Sequence, residues 1–104
     1  MLKVSGVWVC PSEIENVLLE HDAVAEVAVV AHQDQDGLNK PVAWVVLRAG
    51  YVGSPDLVTA LLEFVIARLP SYKRPRKVEF VSELPRTATG KIRRFELRQS
   101  AVDL

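Results

Sequence analysis

The sequence has few of the residues that cross-link a small protein, bind metals or anchor it in a membrane. Cys10 is the one cysteine in 104 residues, so no disulfide can form within the chain, and a reducing, cytoplasmic location is expected. The two histidines, His21 and His32, lie apart and make a poor ligand set, so no metal site is predicted. No apolar run approaches the roughly 20 residues of a membrane span, and the first residues lack the features of a signal peptide.

What is present suits one small folded domain. Hydrophobic residues make up 49% of the chain, enough for a compact core. The net charge is zero, but residues 1–70 carry 4 Lys/Arg against 9 Asp/Glu, while residues 71–104 carry 9 against 4. A basic end in an otherwise acidic domain suggests an anionic partner, although from charge alone a solvated basic face is the first interpretation.

The apolar patterns predict a small α+β domain with a short three-stranded sheet flanked by helices. The elements expected in chain order are an N-terminal hairpin with a turn at Ser5-Gly6, a helix, two paired strands, a second helix, a third strand, a loop and a terminal helix. The paired strands are residues 23–32 and 40–50, and the third strand contains Val78, Phe80 and Val81.

Local signals predict where the helices begin and end. In the first helix, Pro11 suits the first turn, and Ser12 with Glu15 has the spacing of a capping box. In the second, Ser54 is the expected N-cap before Pro55, and Pro70 is expected to end the helix. The terminal helix is expected over residues 92–99.

The Gly90-Lys91 pair, considered by itself, is a weak sign of phosphate binding. A Walker-type loop needs a glycine at the position that Pro85 holds and a Ser or Thr at the position that Ile92 holds. A glycine still lets the backbone turn tightly beside a mobile ammonium, and the hydroxyls of Thr87 and Thr89 can brace such a loop. From this segment alone, an exposed surface lysine is the stronger interpretation.

Three segments taken together resemble a known family. They are LKVSGVWVCPSEIENVL at the start, LPSYKRPRKVEFVSELP in the middle and PRTATGKIRRFELR near the end. In this order and spacing they are similar to the C-terminal lid domain of the adenylate-forming enzymes: acyl- and aryl-CoA synthetases, nonribosomal peptide adenylation domains and luciferases. The first segment looks most similar to benzoate- and hydroxybenzoate-CoA ligases. The resemblance covers almost the whole of residues 1–104.

The resemblance implies a two-step ligase in which this lid works with a large N-terminal domain of the same polypeptide. That domain would hold the carboxylic acid and most of the ATP with its Mg²⁺. ATP and the acid would form an acyl-adenylate, and coenzyme A would then displace AMP. Lys91 matches the adenylation lysine, which stabilises negative charge on the α-phosphate, and Gly90 shapes its turn.

By the same resemblance, other segments serve the thioester step with coenzyme A. Ser5 and Gly6 match the loop that enters the pantetheine channel, where a side chain would obstruct the approach. Tyr72 matches an aromatic that stacks on the CoA adenine. Arg74 and Arg76 match basic positions near the nucleotide phosphates. The alternatives are that Tyr72 caps the second helix and that Lys73 and Lys77 only solvate the surface.

Two other functions remain open at this point. The chain could belong to an adenylation domain that loads a carrier protein, although such domains usually have Asn in place of Thr89 and less basic charge near residues 72–77. A small nucleic-acid-binding module has only the basic end in its favour. We expect neither nucleic acid nor a membrane as a partner. The resemblance also makes Lys91 a candidate substrate of a lysine acetyltransferase, because acetylation would remove the charge that adenylation needs.

Overall fold

The protein folds as the predicted small α+β domain, with a hairpin and a three-stranded sheet flanked by helices. The computed structural model describes residues 2–4, 7–33, 37, 39–70 and 74–99. Its elements are β1 (Leu2–Val4), β2 (Val7–Val9), α1 (Pro11–Leu19), β3 (Val24–Gln33), β4 (Asn39–Leu47), α2 (Pro55–Ile66), β5 (Lys77–Phe80) and α3 (Arg94–Gln99). The predicted order of elements is confirmed. Strands β1 and β2 form the N-terminal antiparallel hairpin.

Strand β4 lies in the middle of the three-stranded sheet. It pairs with β3 in antiparallel fashion, with Val30 opposite Val42, and with β5 in parallel, with Val45 opposite Phe80. The β-branched runs of β3 and β4 suit this position, because both faces of the sheet are covered. The parallel pairing of β5 follows from the crossover through α2, which returns the chain to the end of the sheet at which β4 begins.

The sheet separates two hydrophobic cores. One face packs against α1 and α2, and this core contains Ile14, Leu18, Val24, Val27, Val29, Ala43, Val45, Leu61, Val65 and Val78. The other face packs against α3 and the segment before it, with Ala28, Val30, Val42, Trp44, Leu84 and Leu97 in its core. The alternation of side chains along each strand divides them between the two faces. The Gly90-Lys91 segment lies on the side of the sheet that this second core covers.

The predicted start of α2 is confirmed, but its predicted end is wrong. Ser54 is the N-cap, with its hydroxyl oxygen accepting a hydrogen bond from the Leu57 N–H at 3.1 Å, and Pro55 is the first helical residue. The helix then ends at Ile66 rather than at Pro70. The guanidinium of Arg74 donates to the carbonyl of Ile66, the last helical residue, at 3.2 Å and to that of Leu69, beyond the helix, at 3.1 Å. A side chain thus satisfies one orphan carbonyl at the helix end.

The predicted capping box of α1 is wrong. Cys10 is the N-cap and makes no side-chain capping bond, while Pro11 begins the helix as expected. Glu15 turns inward, where its carboxylate accepts a hydrogen bond from the Val29 N–H at 2.7 Å and binds Arg94. A buried carboxylate needs such partners, and these outweigh a local bond to the helix terminus.

The terminal helix begins two residues later than expected, at Arg94. Ile92 is held in extended backbone by an antiparallel bridge to Arg86, so it cannot belong to the first helical turn. Within the ranges given above, none of the helices combines the length and the apolar character needed to cross a membrane.

Candidate functional site

Lys91 lies at the end of a tight hairpin loop that leads into α3. Two antiparallel backbone bonds close the loop: the Thr87 N–H donates to the Lys91 carbonyl at 2.8 Å, and the Arg93 N–H donates to the Pro85 carbonyl at 2.7 Å. Inside them, the Gly90 N–H donates to the Thr87 carbonyl at 2.9 Å. The result is a short turn with a fixed backbone path on either side of the lysine.

Gly90 has the conformation that this turn requires. Its φ is +87°, in the left-handed region where an L side chain is strained, and a hairpin loop of this length places glycine there. No atom lies within 4 Å of where its Cβ would be, so the demand for glycine comes from the backbone angle and not from crowding. The predicted role of Gly90 in shaping the turn therefore has a physical basis.

The two threonines brace the loop, as their hydroxyl groups suggested. The Lys91 N–H donates to Thr87 Oγ1 at 3.2 Å, and the hydroxyls of Thr87 and Thr89 lie 2.9 Å apart. Both side chains are therefore engaged within the loop. They act as supports of the backbone around Lys91.

Arg86 connects the loop to the body of the domain, and no pattern in the sequence indicates this role. Its Nη1 donates to the Gly90 carbonyl at 2.9 Å, and its Nη2 forms an ion pair with Glu26 on β3. The Gly90 carbonyl belongs to the peptide bond that carries the Lys91 nitrogen. One guanidinium thus contacts both the sheet and the backbone immediately before the lysine.

The Lys91 side chain itself is exposed. Over the described parts of the chain, no carboxylate pairs with its ammonium, whereas Arg86, Arg93 and Arg94 in the same segment each have an acidic partner. The loop thus fixes the backbone of Lys91 and leaves its charge available to an anion. A phosphate or carboxylate from outside the domain fits such a group.

Arg74 and Arg76 come from a separate segment, the connection between α2 and β5. Arg74 is half-buried, and its bonds to the carbonyls of Ile66, at the end of α2, and Leu69 hold that connection in place. Arg76 is exposed, its N–H donating to the Pro41 carbonyl at 2.7 Å, and it lies at a groove of about 590 Å³ with Lys77 and Phe80. The predicted positions Ser5, Gly6 and Tyr72 lie outside the described residues.

A buried polar pair occupies the sheet face that also carries the Lys91 loop. His32 and Trp44 are both buried, with ring centroids 6.0 Å apart, and each has a ring nitrogen, His32 Nε2 and Trp44 Nε1, without a partner in the described part of the chain. Burial lowers the pKa of His32, while a backbone hydrogen bond to Leu97 and the nearby Glu79 carboxylate raise it less. Burial therefore disfavours the charged form of His32.

The family of the chain is shown by comparison with known proteins. Residues 13–91, which include Lys91, match the AMP-binding enzyme C-terminal domain. The chain belongs to this family. Among the relatives is the benzoate–CoA ligase of Thauera aromatica, 52% identical over 100 residues that make up 96% of this chain and 19% of that enzyme. Another is 4-hydroxybutyrate–CoA ligase 1 of Metallosphaera sedula, 46% identical over 95% of this chain and 18% of that enzyme.

Solved structures agree with this assignment. An anthranilate CoA ligase in complex with anthranoyl-AMP superposes with a TM-score of 0.89 at 48% identity, over 94% of this chain and 19% of that one. The chain therefore spans about a fifth of the length of the relatives it matches. These relatives include ligases for both aromatic and aliphatic acids.

Proposed function

We propose that this chain is the C-terminal lid of an ATP-dependent, AMP-forming carboxylate–CoA ligase. One observation carries the proposal: the exposed ammonium of Lys91 stands on a loop that is braced on both sides, without a carboxylate partner among the described residues. A preorganised cation of this kind stabilises charge that develops during a reaction, because no reorganisation is needed at the moment of reaction. The large N-terminal domain would supply the acid pocket and most contacts to ATP and its Mg²⁺.

In the first step, a carboxylate oxygen of the acid attacks the α-phosphorus of ATP. The bond from that phosphorus to the bridging oxygen breaks, so the products are acyl-adenylate and pyrophosphate. Negative charge builds on the phosphoryl oxygens as the new bond forms. The Lys91 ammonium stabilises this charge, Gly90 and Thr87 hold the backbone that carries it, and Arg86 fixes the preceding carbonyl.

In the second step, the thiol of coenzyme A attacks the acyl carbon and AMP leaves. We assign this step to Ser5 and Gly6, which lie between β1 and β2 in the sequence, and to the segment that contains Tyr72, Arg74 and Arg76. The exposed position of Arg76 beside a groove supports a contact with a nucleotide phosphate. Arg74 acts in part through its bonds to the Ile66 and Leu69 carbonyls, which hold the basic segment against the domain.

The acid is aromatic in this proposal, with benzoate as the first compound to test. The similarity to a benzoate–CoA ligase and to an anthranilate CoA ligase supports this choice. The pocket that selects the acid would lie in the N-terminal domain. Substrate choice is therefore tested on the full-length enzyme, with benzoate, hydroxybenzoates and 4-hydroxybutyrate compared at equal concentration.

The proposal is tested through the first half-reaction alone. Lys91→Ala in the full-length enzyme should slow benzoate-dependent exchange of pyrophosphate into ATP by about 10²–10³-fold, the scale of losing one preorganised charge stabiliser. Lys40→Ala, which removes a half-buried lysine on β4, serves as the matched control and should retain the exchange rate. Unchanged exchange in Lys91→Ala would refute the assignment.

The exposure of Lys91 also makes it accessible to an acetyltransferase, and we propose acetylation as an off-switch. Acetylation removes the positive charge and leaves the loop backbone in place. After incubation with a lysine acetyltransferase and acetyl-CoA, mass spectrometry should find acetyl-Lys91, and adenylation should fall in proportion to its occupancy. Full adenylation at high occupancy would contradict the proposal.

A further inference from the structure

One buried carboxylate joins three elements of the domain. Glu15 on α1 is 9% exposed, and its Oε2 accepts hydrogen bonds from the Val29 N–H of β3 and from Arg94 Nη1 of α3, both at 2.7 Å. Arg94 Nη2 donates to the other carboxylate oxygen at 3.3 Å, and Nη1 also approaches the Val29 carbonyl at 3.4 Å. One ion pair thus links the helix α1, the sheet and the helix α3, in addition to the hydrophobic packing on both faces of the sheet.

This pair differs from the other ion pairs near Lys91 in its burial and geometry. The side chain of Glu15 is 12% exposed and that of Arg94 38%, whereas Arg86 and Glu26 are both 40% exposed. A two-pronged contact between guanidinium and carboxylate fixes direction as well as distance, and it is screened less when one partner is buried. Exposed pairs contribute little by comparison.

The pair is linked to Lys91 through a short and rigid path. Arg94 begins α3, and between it and Lys91 lie Ile92, bridged to Arg86, and Arg93, whose N–H is bonded to the Pro85 carbonyl. The backbone between the lysine and the ion pair is therefore in hydrogen-bonded structure. A shift of α3 relative to α1 would be transmitted directly to the loop.

We propose that Glu15 and Arg94 are positioning residues for adenylation, a role that rests on the proposed function of Lys91. The pair fixes α3, and with it the Lys91 loop, at one orientation relative to the rest of the domain. The Lys91 ammonium is then already oriented toward the α-phosphate when the lid docks on the N-terminal domain. Because misplacement of a catalytic group by about 1 Å can cost about 10²-fold in rate, a weakened pair should slow adenylation strongly.

The experiment compares two conservative changes and one control in the full-length enzyme. Arg94→Lys keeps the charge but loses the two-pronged contact, and Glu15→Gln keeps an acceptor for the Val29 N–H but loses the charge. Arg93→Lys is the matched control, because Arg93 is adjacent and pairs with Glu96 within the same segment at 2.9 Å. Each variant is assayed for benzoate-dependent pyrophosphate exchange and, separately, for release of AMP from supplied benzoyl-adenylate by coenzyme A.

We expect Arg94→Lys and Glu15→Gln to lower kcat for exchange by about 10–100-fold with little change in the KM for ATP. Release of AMP by coenzyme A should be retained, and the double variant should lose no more than the worse single variant. Arg93→Lys should retain both half-reactions. If Glu15→Gln does not fold, as judged by circular dichroism, Arg94→Lys alone provides the test.

The outcomes separate this inference from the proposed function. Equal losses in both half-reactions would show that the pair only maintains the fold, and an unchanged exchange rate would show that it does not position Lys91. Either result overturns the inference. Failure of Lys91→Ala to lower exchange would instead overturn the proposed function itself.

Discussion

Replacing Gly90 with alanine tests how the shape of the loop affects adenylation while the charge of Lys91 is left unchanged. At φ +87° an L residue is strained by about 1–2 kcal/mol, while the space around the missing Cβ is open. Alanine can therefore be accommodated only if the backbone bears the strain or moves. Because Gly90 precedes Lys91 directly and its carbonyl is held by Arg86, movement would displace the ammonium.

The chain contains a closely matched control. Gly50 has φ +93°, and no atom lies within 4 Å of where its Cβ would be, but it lies in the turn after β4. Gly90→Ala and Gly50→Ala should lower the midpoint of thermal unfolding by similar amounts, at most about 5–15 °C for a domain of this size. Stability alone should therefore not distinguish the two variants.

Activity should distinguish them clearly. In the full-length enzyme, Gly90→Ala should slow pyrophosphate exchange by about 10²-fold, whereas Gly50→Ala should retain it. Gly90→Asn should recover part of the rate, because asparagine tolerates the left-handed region. Equal exchange rates in the two alanine variants, whether both high or both low, would refute the reasoning that the turn at Gly90 positions Lys91.

Two further predictions concern the body of the domain. A Cβ on Gly53 would lie 2.7 Å from Phe80 Cδ2, so Gly53→Ala should lower the free energy of unfolding by about 1–3 kcal/mol, measured by chemical denaturation. Adding Phe80→Leu should recover part of that loss. An unchanged free energy of unfolding in Gly53→Ala would contradict the packing. Burial lowers the pKa of His32 below its usual value, so the unfolded chain binds more protons and stability should fall as the pH drops below about 6.5. His32→Asn should flatten this dependence in denaturation curves, and an unchanged slope would show that other groups cause it.

The sequence predicted those parts of the fold that depend on neighbouring residues. The Ser54 cap, with Pro55 in the first turn, marked the start of α2 because both act within one turn of helix. The β-branched runs marked β3 and β4, and the Gly90 turn was expected from a glycine beside a polar loop. These signals are local, so they can be recognised in the sequence without knowledge of the tertiary structure.

The errors occurred where distant residues decide the outcome. Glu15 has the spacing of a capping box, but its partner Arg94 lies 79 residues away, and no local pattern indicates that pairing. Likewise, the Ile66 carbonyl at the end of α2 is bonded by the side chain of Arg74, eight residues beyond it, and no capping signal at the helix end indicates that contact. The ion pair of Arg86 with Glu26 was missed for the same reason, whereas its bond to the nearby Gly90 carbonyl is local and has no recognised sequence signal.

One crossed measurement tests most directly whether the two half-reactions are divided between the Lys91 loop and the Ser5-Gly6 segment. Lys91→Ala and Gly6→Leu are each assayed in the full-length enzyme for pyrophosphate exchange and for CoA-dependent release of AMP from benzoyl-adenylate. We predict opposite losses: Lys91→Ala should lose exchange and keep thioester formation, and Gly6→Leu should keep exchange and lose thioester formation. Parallel losses in both variants would contradict the proposal that one small domain serves the two steps with different surfaces.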